Sequence, residues 1–271
     1  LFHQDILVDT TADMLKKLIR RSEGHDVLFF VGLPWMKDGK LYNVAAAVHD
    51  GELLALITKK NIPNYSEFYE LRHFTPGPDV PEPMEWDGRI VPFGSGILLR
   101  CVNLPELVVA GEICEDVWVM DPPSISHARA GATVIVNCSA SSETAGKHVY
   151  RRSLIAGQSA RLVCGYICAN AGEGESTQDL VFGGHDLIAE NGTVLAESRR
   201  FENGMILADL DLKRICSERR RMTTFQVENP REQYDYMDFE LEMEDLKELK
   251  RPVDPSPFIP SGAAERNERC E

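Results

Sequence analysis

The sequence predicts an α/β fold in which helices cover a mixed β-sheet. Short apolar segments typical of buried strands alternate with amphipathic helical segments along most of the 271 residues. Such alternation predicts a layer of strands packed against helices. Two further segments place strand-forming residues on both sides of a tight turn, at Asp50-Gly51 and at Asn191-Gly192. These hairpins add antiparallel pairs, so the sheet is predicted to be mixed and not purely parallel.

The order of the elements follows from local signals. The first helix is predicted to begin at a capping box of Thr10 and Asp13 and to end at Gly24. The apolar stretch 27–35 is expected to be a strand buried on both faces. In chain order, strands are predicted at 27–35, 89–101, 107–114, 132–141, 163–171 and 204–212, and hairpins at 41–60 and 179–198. The other predicted elements are a Pro-rich loop at 75–88 and helices at 124–132, 146–162 and 213–222.

Composition argues against several classes of partner. The formal net charge of −14 disfavours nucleic acid, since a phosphate backbone requires a basic face, and it equally disfavours an anionic membrane surface. No apolar run approaches the roughly 20 residues that span a bilayer, and residues 1–5 lack the basic start of a signal peptide. The seven cysteines include no CxxC pair and no zinc-finger spacing. This usage favours a reducing, cytoplasmic location and no metal site.

Cys114 is the candidate for chemistry, because it stands at the predicted end of a strand, where sheets of this class bind their ligands. Lys59 and Ser141 also follow predicted strands. Three acids lie within two residues of Cys114, and neighbouring acids raise the pKa of a thiol and so oppose the reactive thiolate. A nucleophilic Cys114 therefore needs a cation or a base from elsewhere in the chain.

Two kinds of residue could activate this thiol. His127 and His148 lie on predicted helices without a recognisable pairing, and we expect both at the surface. Lys59 can balance the neighbouring acids and donate to a developing oxyanion. Glu67 and Glu70 lie in the loop that follows Lys59, and either could act as a general base.

Three stretches resemble the nitrilase (carbon–nitrogen hydrolase) superfamily. They are KKNIPNYSEFYELRHF at 59–74, GEICEDVWV at 111–119, and VNCSASSETAGKHVYRR with ICANAGEGESTQDLVFGG within 136–184. More narrowly, the EFYE pattern and the GEGES segment resemble the glutaminase domains of glutamine-dependent NAD synthetases. The similarity extends over nearly the whole chain. It implies a four-layer αββα sandwich with mixed sheets and outer helices.

The resemblance implies the catalytic roles. Cys114 would be the nucleophile that attacks the side-chain amide of glutamine and forms a glutamyl thioester. Lys59 would stabilise the oxyanion together with the backbone N–H that follows Cys114, and Glu67, in preference to Glu70, would orient the lysine. The general base would be a glutamate on a strand that precedes residue 1. Residues 1–271 alone are therefore expected to be inactive.

The same resemblance implies the substrate-binding residues. Tyr65 would line the glutamine pocket, and Glu115 and Trp118 would shape its floor. Ser141 and Lys147 match family positions that hold the amino-acid end of the substrate. This family often has arginine where this chain has Lys147, and a lysine does not replace the bidentate contact that arginine makes with a carboxylate.

The residues alone leave other interpretations open. Lys147, Arg151 and Arg152 recur at helical spacing and would ordinarily form a charged outer face. Ser141 could serve only as a helix cap. The GEGES segment at 172–176 lacks the strand and helix context of a phosphate loop, and we expect a turn beside the active site.

The chain is predicted to contain one domain and a linker. Residues 1–238 form the nitrilase-like domain, without the strand that carries the base glutamate, and the polar, acidic residues 239–271 form the linker. The absence of an initiator methionine and the helix-like ending AAERNERCE lead us to expect a piece of a longer protein. No pyrophosphate loop occurs, so the ATP and Mg²⁺ site of the synthetase would belong to a following domain. The nitrilase-like domain itself would need no cofactor.

The implied function is the hydrolysis of L-glutamine to supply ammonia for the ATP-dependent amidation of deamido-NAD to NAD. A homo-oligomer is expected, because nitrilase-family domains generally associate through their helical faces. Two alternatives stay open: a stand-alone amidase of the nitrilase family with a different amide substrate, and a degenerate, non-catalytic domain that serves oligomer contacts.

Overall fold

The computed structural model describes residues 2, 4–175, 179–228, 233–251, 253, 259 and 262–270. Its architecture is two β-sheets packed face to face, with helices on both outer surfaces. Most of the Pro-containing segment 251–260 that is predicted as a linker lies outside the described residues, and so does the last residue of the GEGES segment.

The first sheet has five strands. They are β1 (Leu28–Lys37), β2 (Lys40–His49), β3 (Glu52–Thr58), β4 (Glu82–Trp86) and β5 (Arg89–Gly94). Their spatial order is β1-β2-β3-β5-β4. β2 and β3 form the hairpin predicted around Asp50-Gly51, whereas β3 and β5 run parallel. Lys59 directly follows β3 at the end of a central strand.

The second sheet has seven strands. They are β6 (Ile97–Cys101), β7 (Val108–Ile113), β8 (Val134–Ser139), β9 (Gly165–Asn170), β10 (Leu187–Glu190), β11 (Thr193–Glu197) and β12 (Asp235–Phe239). Their spatial order is β11-β10-β9-β8-β7-β6-β12. β7, β8 and β9 are parallel neighbours, so their carboxyl ends meet at one edge of the sheet. Cys114 and Ser141 follow β7 and β8 at this edge.

The helices complete the four layers. They are α1 (Asp5–Ser22), α2 (Pro123–Arg129), α3 (Lys147–Leu162), α4 (Leu212–Arg221) and α5 (Ala263–Cys270). α1 packs on the five-stranded sheet, and α2 and α3 pack on the seven-stranded sheet. The predicted αββα arrangement is confirmed.

Alternation along the strands separates three apolar cores. On β2, Val44, Ala46 and Val48 face α1, whereas Ala45 and Ala47 face the other sheet. This period of two is the ordinary consequence of strand geometry. The small alanines between the sheets leave room for larger side chains from the opposite sheet.

The two sheets are in contact where the candidate site begins. A Cβ atom added to Gly111 on β7 would lie 2.8 Å from Cδ1 of Ile57 on β3. This contact lies two residues before Lys59 on one sheet and three before Cys114 on the other. The packing brings together two turns that are distant in sequence.

Several predicted boundaries are wrong for identifiable reasons. α1 begins at Asp5, and the Thr10 hydroxyl donates to the carbonyl of Ile6 instead of capping the helix. β1 is a half-buried edge strand and is not buried on both faces. The stretch 89–101 divides at Ser95 into two strands of different sheets. The stretch 204–212 forms no strand, and its last residue begins α4.

The predicted domain boundary falls inside a strand. β12 ends at Phe239 and pairs in parallel with β6, so residue 238 cannot close the folded unit. Beyond it, Arg251 forms a bidentate ion pair with the buried Glu190 at 2.8 Å. The described part of 239–251 therefore packs on the sandwich and is not a free linker.

His127 is buried, contrary to the prediction that it lies at the surface. It is 1% exposed, and its Nδ1 lies 2.8 Å from the hydroxyl of Tyr234. Burial lowers the pKa of His127 to about 4. The imidazole is thus a neutral core group of α2. Within the part of the chain that the structure describes, no helix has the length and apolar character needed to cross a membrane.

We expect Gly77→Ala to destabilise the fold by about 1–3 kcal/mol, the usual cost of overpacking a filled site. An added Cβ would lie 1.8 Å from Oγ1 and 2.2 Å from Cβ of the buried Thr58, and neither atom can move far. Urea unfolding measures the change. The matched control is Gly32→Ala, whose Cβ would meet nothing within 4 Å. Equal unfolding midpoints for the two variants would contradict the packing described here.

His127 also predicts a pH dependence of stability. Its folded pKa of about 4 lies below the ordinary value of 6.5, so the unfolded state binds the proton more tightly. The stability contributed by His127 is therefore present above pH 6.5 and is lost as the pH falls toward 4. In His127→Gln, the decline of the unfolding free energy between pH 6.5 and 4.5 should be smaller by about 2 kcal/mol. Replacement of the exposed His25 by Gln should leave the decline as in the wild type.

Candidate active site

A buried carboxylate joins the turn after β3 to the turn after β7. Asp116 is 1% exposed, and one of its oxygens accepts the backbone N–H of Asn61 at 2.8 Å and the Asn61 side-chain amide at 2.9 Å. The other oxygen accepts the N–H of Ile113 at 2.9 Å. Burial raises the pKa of Asp116, while these donors and the Lys59 ammonium oppose the rise. Asp116 thereby keeps Lys59 and Cys114 in neighbouring turns.

Cys114 has a backbone conformation that is rare for a residue with a side chain. Its φ is +45°, in the left-handed region, at the start of the 3₁₀ helix Cys114–Val117. That region costs roughly 1–2 kcal/mol for L-residues and is concentrated at functional sites. The Cys114 N–H donates to Oδ1 of Asn137 at 3.0 Å. The half-buried thiol lines a pocket of about 470 Å³, so a ligand in the pocket can reach it.

Lys59 forms a buried ion pair. Its ammonium lies 2.5 Å from Oε2 of Glu70, and the Lys59 side chain is 3% exposed. The other oxygen of Glu70 accepts the side-chain amide of Asn43 at 2.7 Å. Glu70 is thus held at both oxygens, and it fixes the position of the lysine.

The prediction that Glu67 orients Lys59 is wrong, because Glu70 makes that contact. The loop turns back at the 3₁₀ helix Glu70–Arg72, where the Glu70 N–H donates to the carbonyl of Pro63 at 3.1 Å. This turn directs Glu70 toward Lys59 and leaves Glu67 facing the pocket. The Glu67 carboxylate there accepts a long hydrogen bond, 3.4 Å, from the Ser142 hydroxyl.

The pocket gathers most of the predicted site residues. Seven of the eight line it, and the buried Lys59 does not. The seven are Tyr65, Glu67, Cys114, Glu115, Trp118, Ser141 and Lys147. The described part of GEGES forms a turn, as predicted, but its residues are not in this lining.

Tyr65 and Glu115 form one side of the pocket. The Tyr65 hydroxyl donates to Oε1 of Glu115 at 2.6 Å. Burial and this hydrogen bond raise the pKa of Tyr65 to about 12. The phenol therefore stays a donor at neutral pH, and Glu115 supplies negative charge directly after Cys114.

Lys147 brings positive charge to the same pocket. Its ammonium lies 5.4 Å from the ring centre of Trp118 and 5.7 Å from that of Phe68, and it donates to the Ser142 hydroxyl at 3.1 Å. Burial lowers the pKa of Lys147. The two rings can stabilise the cation. Lys147 thus belongs to the pocket and not to an outer helix face.

Arg151 is buried behind the pocket, although the sequence predicts it on the outer face. It is 1% exposed, donates to Glu143 at 2.5 Å, and donates to the Ser141 hydroxyl at 3.3 Å. The charge of Arg151 is compensated by the equally buried Glu143. Arg152, one residue on, is exposed and pairs with Glu197. Arg151 thus supports Ser141 from inside.

A second buried carboxylate lies beneath Cys114. Glu112 on β7 is 1% exposed and accepts the Tyr166 hydroxyl and the Ser124 N–H, the latter at 2.9 Å. Burial raises the pKa of Glu112 to about 7. Tyr166 in turn accepts the side-chain amide of Asn137 at 3.2 Å. These groups form a continuous hydrogen-bonded chain to the Cys114 N–H.

Sequence reasoning missed the residues that hold the site together. Asn43, Glu112, Asn137 and Arg151 all support it from buried positions or through buried partners. The signal was available for three of them, since a lone polar residue inside an apolar strand implies a buried contact. Asp116 gave no comparable signal, because it lies in an acidic turn.

The family follows from comparison with known sequences. Residues 3–220 match the carbon–nitrogen hydrolase family. The chain therefore belongs to the carbon–nitrogen hydrolase family, and the resemblance found in the sequence is confirmed.

Individual relatives are more specific. The glutamine-dependent NAD(+) synthetase of Mycobacterium tuberculosis is 39% identical over 277 residues, which cover 98% of this chain and 40% of that protein. The crystal structure of a glutamine-dependent NAD(+) synthetase from Cytophaga hutchinsonii matches with a TM-score of 0.64 and 28% identity, over 73% of this chain and 32% of the other. A nitrilase-superfamily structure from Saccharomyces cerevisiae matches with a TM-score of 0.57 and 18% identity, over 80% of this chain and 70% of the other. This match shows that the two chains share a fold. This chain thus spans about two-fifths of the curated relative's length.

Glu70→Gln and Glu67→Gln test the two assignments. Glu70→Gln leaves the buried Lys59 ammonium without its counter-charge and should lower the unfolding free energy by about 3 kcal/mol, since breaking a buried pair is costly. Glu67→Gln removes only a long contact at the pocket surface and should cost less than about 1 kcal/mol. Urea unfolding of the two variants compares them directly. The reverse order would restore Glu67 as the partner of Lys59.

Proposed function

We propose that this chain is the glutaminase unit of a glutamine-dependent NAD synthetase. It would hydrolyse the side-chain amide of L-glutamine and supply ammonia for the amidation of deamido-NAD. The observation that carries the proposal is the position of Cys114. The Cys114 thiol, at a turn with left-handed φ, lines a pocket that carries both positive and negative side chains. The Lys59–Glu70 ion pair lies at the turn after β3, which Asp116 joins to the turn of Cys114.

The pocket chemistry suits a zwitterionic amino acid. Glu115, with Tyr65 bound to it, offers acceptor oxygens for a ligand's ammonium group. Lys147 offers a cation for its carboxylate, with the neighbouring hydroxyl of Ser141. Trp118 provides an apolar wall for the methylene groups. A simple aliphatic amide would leave these charges unpaired, which disfavours it as the substrate.

The reaction would proceed by acyl transfer. The Cys114 sulfur forms a bond to the amide carbon, and the resulting oxyanion is stabilised by Lys59 and by the N–H of Glu115. Collapse breaks the C–N bond, and the nitrogen leaves as ammonia after it has gained a proton. Water then cleaves the thioester, releases glutamate and restores the thiol. We propose that the proton acceptor is a glutamate of the parent protein outside residues 1–271.

Other parts of the proposal concern the parent protein. ATP and Mg²⁺ would act in a separate synthetase unit, and the glutaminase unit would need neither metal nor cofactor. The parent would be a cytoplasmic homo-oligomer without nucleic-acid or membrane partners. The free thiols of Cys101, Cys114, Cys138, Cys164, Cys168 and Cys216 and the net charge of −14 support a reducing compartment and the lack of a polyanionic partner.

Cys114→Ala in the full-length parent should abolish NAD synthesis driven by glutamine and leave synthesis driven by ammonia unchanged. The matched control is Cys138→Ala, at the end of the neighbouring strand, where burial raises the pKa of the thiol to about 11. This control should retain both activities. If Cys114→Ala retains glutamine-driven synthesis, the nucleophile assignment is wrong.

Labelling provides a second readout of the same variants. A diazo-ketone analogue of glutamine should form one adduct, on Cys114, in the wild-type parent. Adducts spread over Cys101, Cys138 and Cys216 would mean that Cys114 has no special activation. Hydrolysis of other amides without hydrolysis of glutamine would favour the stand-alone amidase.

A further inference from the structure

A chain of buried hydrogen bonds holds the turn that begins at Cys114. For each of these bonds, the donor and the acceptor can be deduced. The Cys114 N–H donates to Oδ1 of Asn137 at 3.0 Å, and Nδ2 of Asn137 donates to the Tyr166 hydroxyl at 3.2 Å. The Tyr166 hydroxyl donates to Oε1 of Glu112. The side chains of Glu112, Asn137 and Tyr166 are at most 1% exposed, so water does not compete for these contacts.

The direction follows from the number of protons. Above its raised pKa of about 7, Glu112 is an ionised carboxylate and only accepts hydrogen bonds. The single proton of the Tyr166 hydroxyl is then directed to Glu112. The hydroxyl can then only accept from Asn137, which turns the amide NH₂ toward Tyr166. The amide oxygen must therefore face Cys114. With the amide reversed, its NH₂ would oppose the Cys114 N–H, and a buried donor would be left unsatisfied at a cost of about 1–3 kcal/mol.

The Glu112 end of this hydrogen-bond chain is also fixed. Oε2 of Glu112 accepts the N–H of Ser124 at 2.9 Å, so both carboxylate oxygens are engaged. Glu112 and Asn137 are direct neighbours on the parallel strands β7 and β8. The carboxylate thus cannot turn without breaking a contact to α2, and its orientation is passed to Asn137.

We propose that Asn137, oriented by Glu112 through Tyr166, is a positioning residue that holds the backbone of Cys114 for attack on the substrate. This inference rests on the proposed function, in which Cys114 is the nucleophile. The bond from Asn137 stabilises the left-handed φ of +45° at Cys114. It also occupies the Cys114 N–H, so the N–H of Glu115 is the next backbone donor for an oxyanion.

Asn137→Leu and Asn137→Asp in the full-length parent test the role of the acceptor. Leu has a similar size but no acceptor, whereas Asp keeps an oxygen toward the Cys114 N–H. For glutamine hydrolysis at about pH 8.5, above the raised pKa of Glu112 of about 7, Asn137→Leu should lower kcat about 100-fold, the effect of a small misplacement of a reacting group. KM should change less than about threefold, and Asn137→Asp should retain kcat within about tenfold. An unchanged kcat in Asn137→Leu, an equal loss in both variants, or a loss confined to KM would overturn the proposal.

Tyr166→Phe tests the relay. If Tyr166 acts through Asn137, the loss of kcat in Asn137→Leu/Tyr166→Phe should equal that of Asn137→Leu alone. Losses that multiply would mean that Tyr166 acts independently, which would overturn the relay. The matched control is Thr133→Val, which removes buried hydrogen bonds with the backbone of Glu106 and Val108, at 2.7 and 3.0 Å, before the start of β8. None of these groups contacts Glu112, Tyr166 or Asn137 in the described hydrogen bonds, so kcat should be unchanged.

The rate of Cys114 alkylation by iodoacetamide separates this proposal from the proposed function, because it requires no glutamine. Mass spectrometry measures that rate, and urea unfolding first verifies that each sample is folded. If the wild type does not hydrolyse glutamine, the proposed function fails, and the alkylation rate still tests the positioning role. A slower rate in Asn137→Leu than in the wild type and in Thr133→Val would support positioning. Equal rates in all three would overturn it.

Discussion

The contact that the site depends on is the buried carboxylate of Asp116, which joins the two sheets at one edge. It accepts N–H groups from Asn61, after β3, and from Ile113, at the end of β7. Those strands belong to different sheets and share no hydrogen bonds. Apolar packing between sheets is non-directional. By itself it would not fix the position of the turn after β3 relative to the turn after β7. The directional bonds of Asp116 do so, and Lys59 and Cys114 adjoin its partners.

Around this contact the site is built on buried polar groups that pair with one another. Lys59 pairs with Glu70, Arg151 pairs with Glu143, and Glu112 accepts from Tyr166. Burying such groups is costly unless their partners are in place. The same cost makes each arrangement specific, since any other orientation would leave a charge or a donor without a partner. The pocket side chains are therefore held on a layer of buried, paired groups, which the acyl transfer proposed for Cys114 would require.

Much of this could be predicted from the sequence. The strand ends at Lys59, Cys114 and Ser141 follow from the apolar periodicity. Cys114 and Ser141 line the pocket, and Asp116 joins the turn of Lys59 to that of Cys114. The choice between Glu67 and Glu70 could not be made, because both lie in one loop and only the turn at Pro63 directs Glu70 inward. Arg151 was misplaced for a related reason. Its helical spacing matches an outer face, and Glu143, which compensates its charge inside, lies on a separate loop.

The sequence by itself determined the alternation of strands and helices and the strand ends at Lys59, Cys114 and Ser141, because these depend on local patterns, whereas the four layers and the pocket residues came from the family resemblance. The period of two on β2 separates its apolar faces, and the residues flanking Cys114 carry their own charge. The tertiary structure alone decided which polar groups meet. Asn137 reaches Cys114, and Asp116 reaches Asn61, across separations of 23 and 55 residues. Such contacts depend on strand register and on the distance between the sheets, set at Gly111 and Ile57, and no local pattern encodes either.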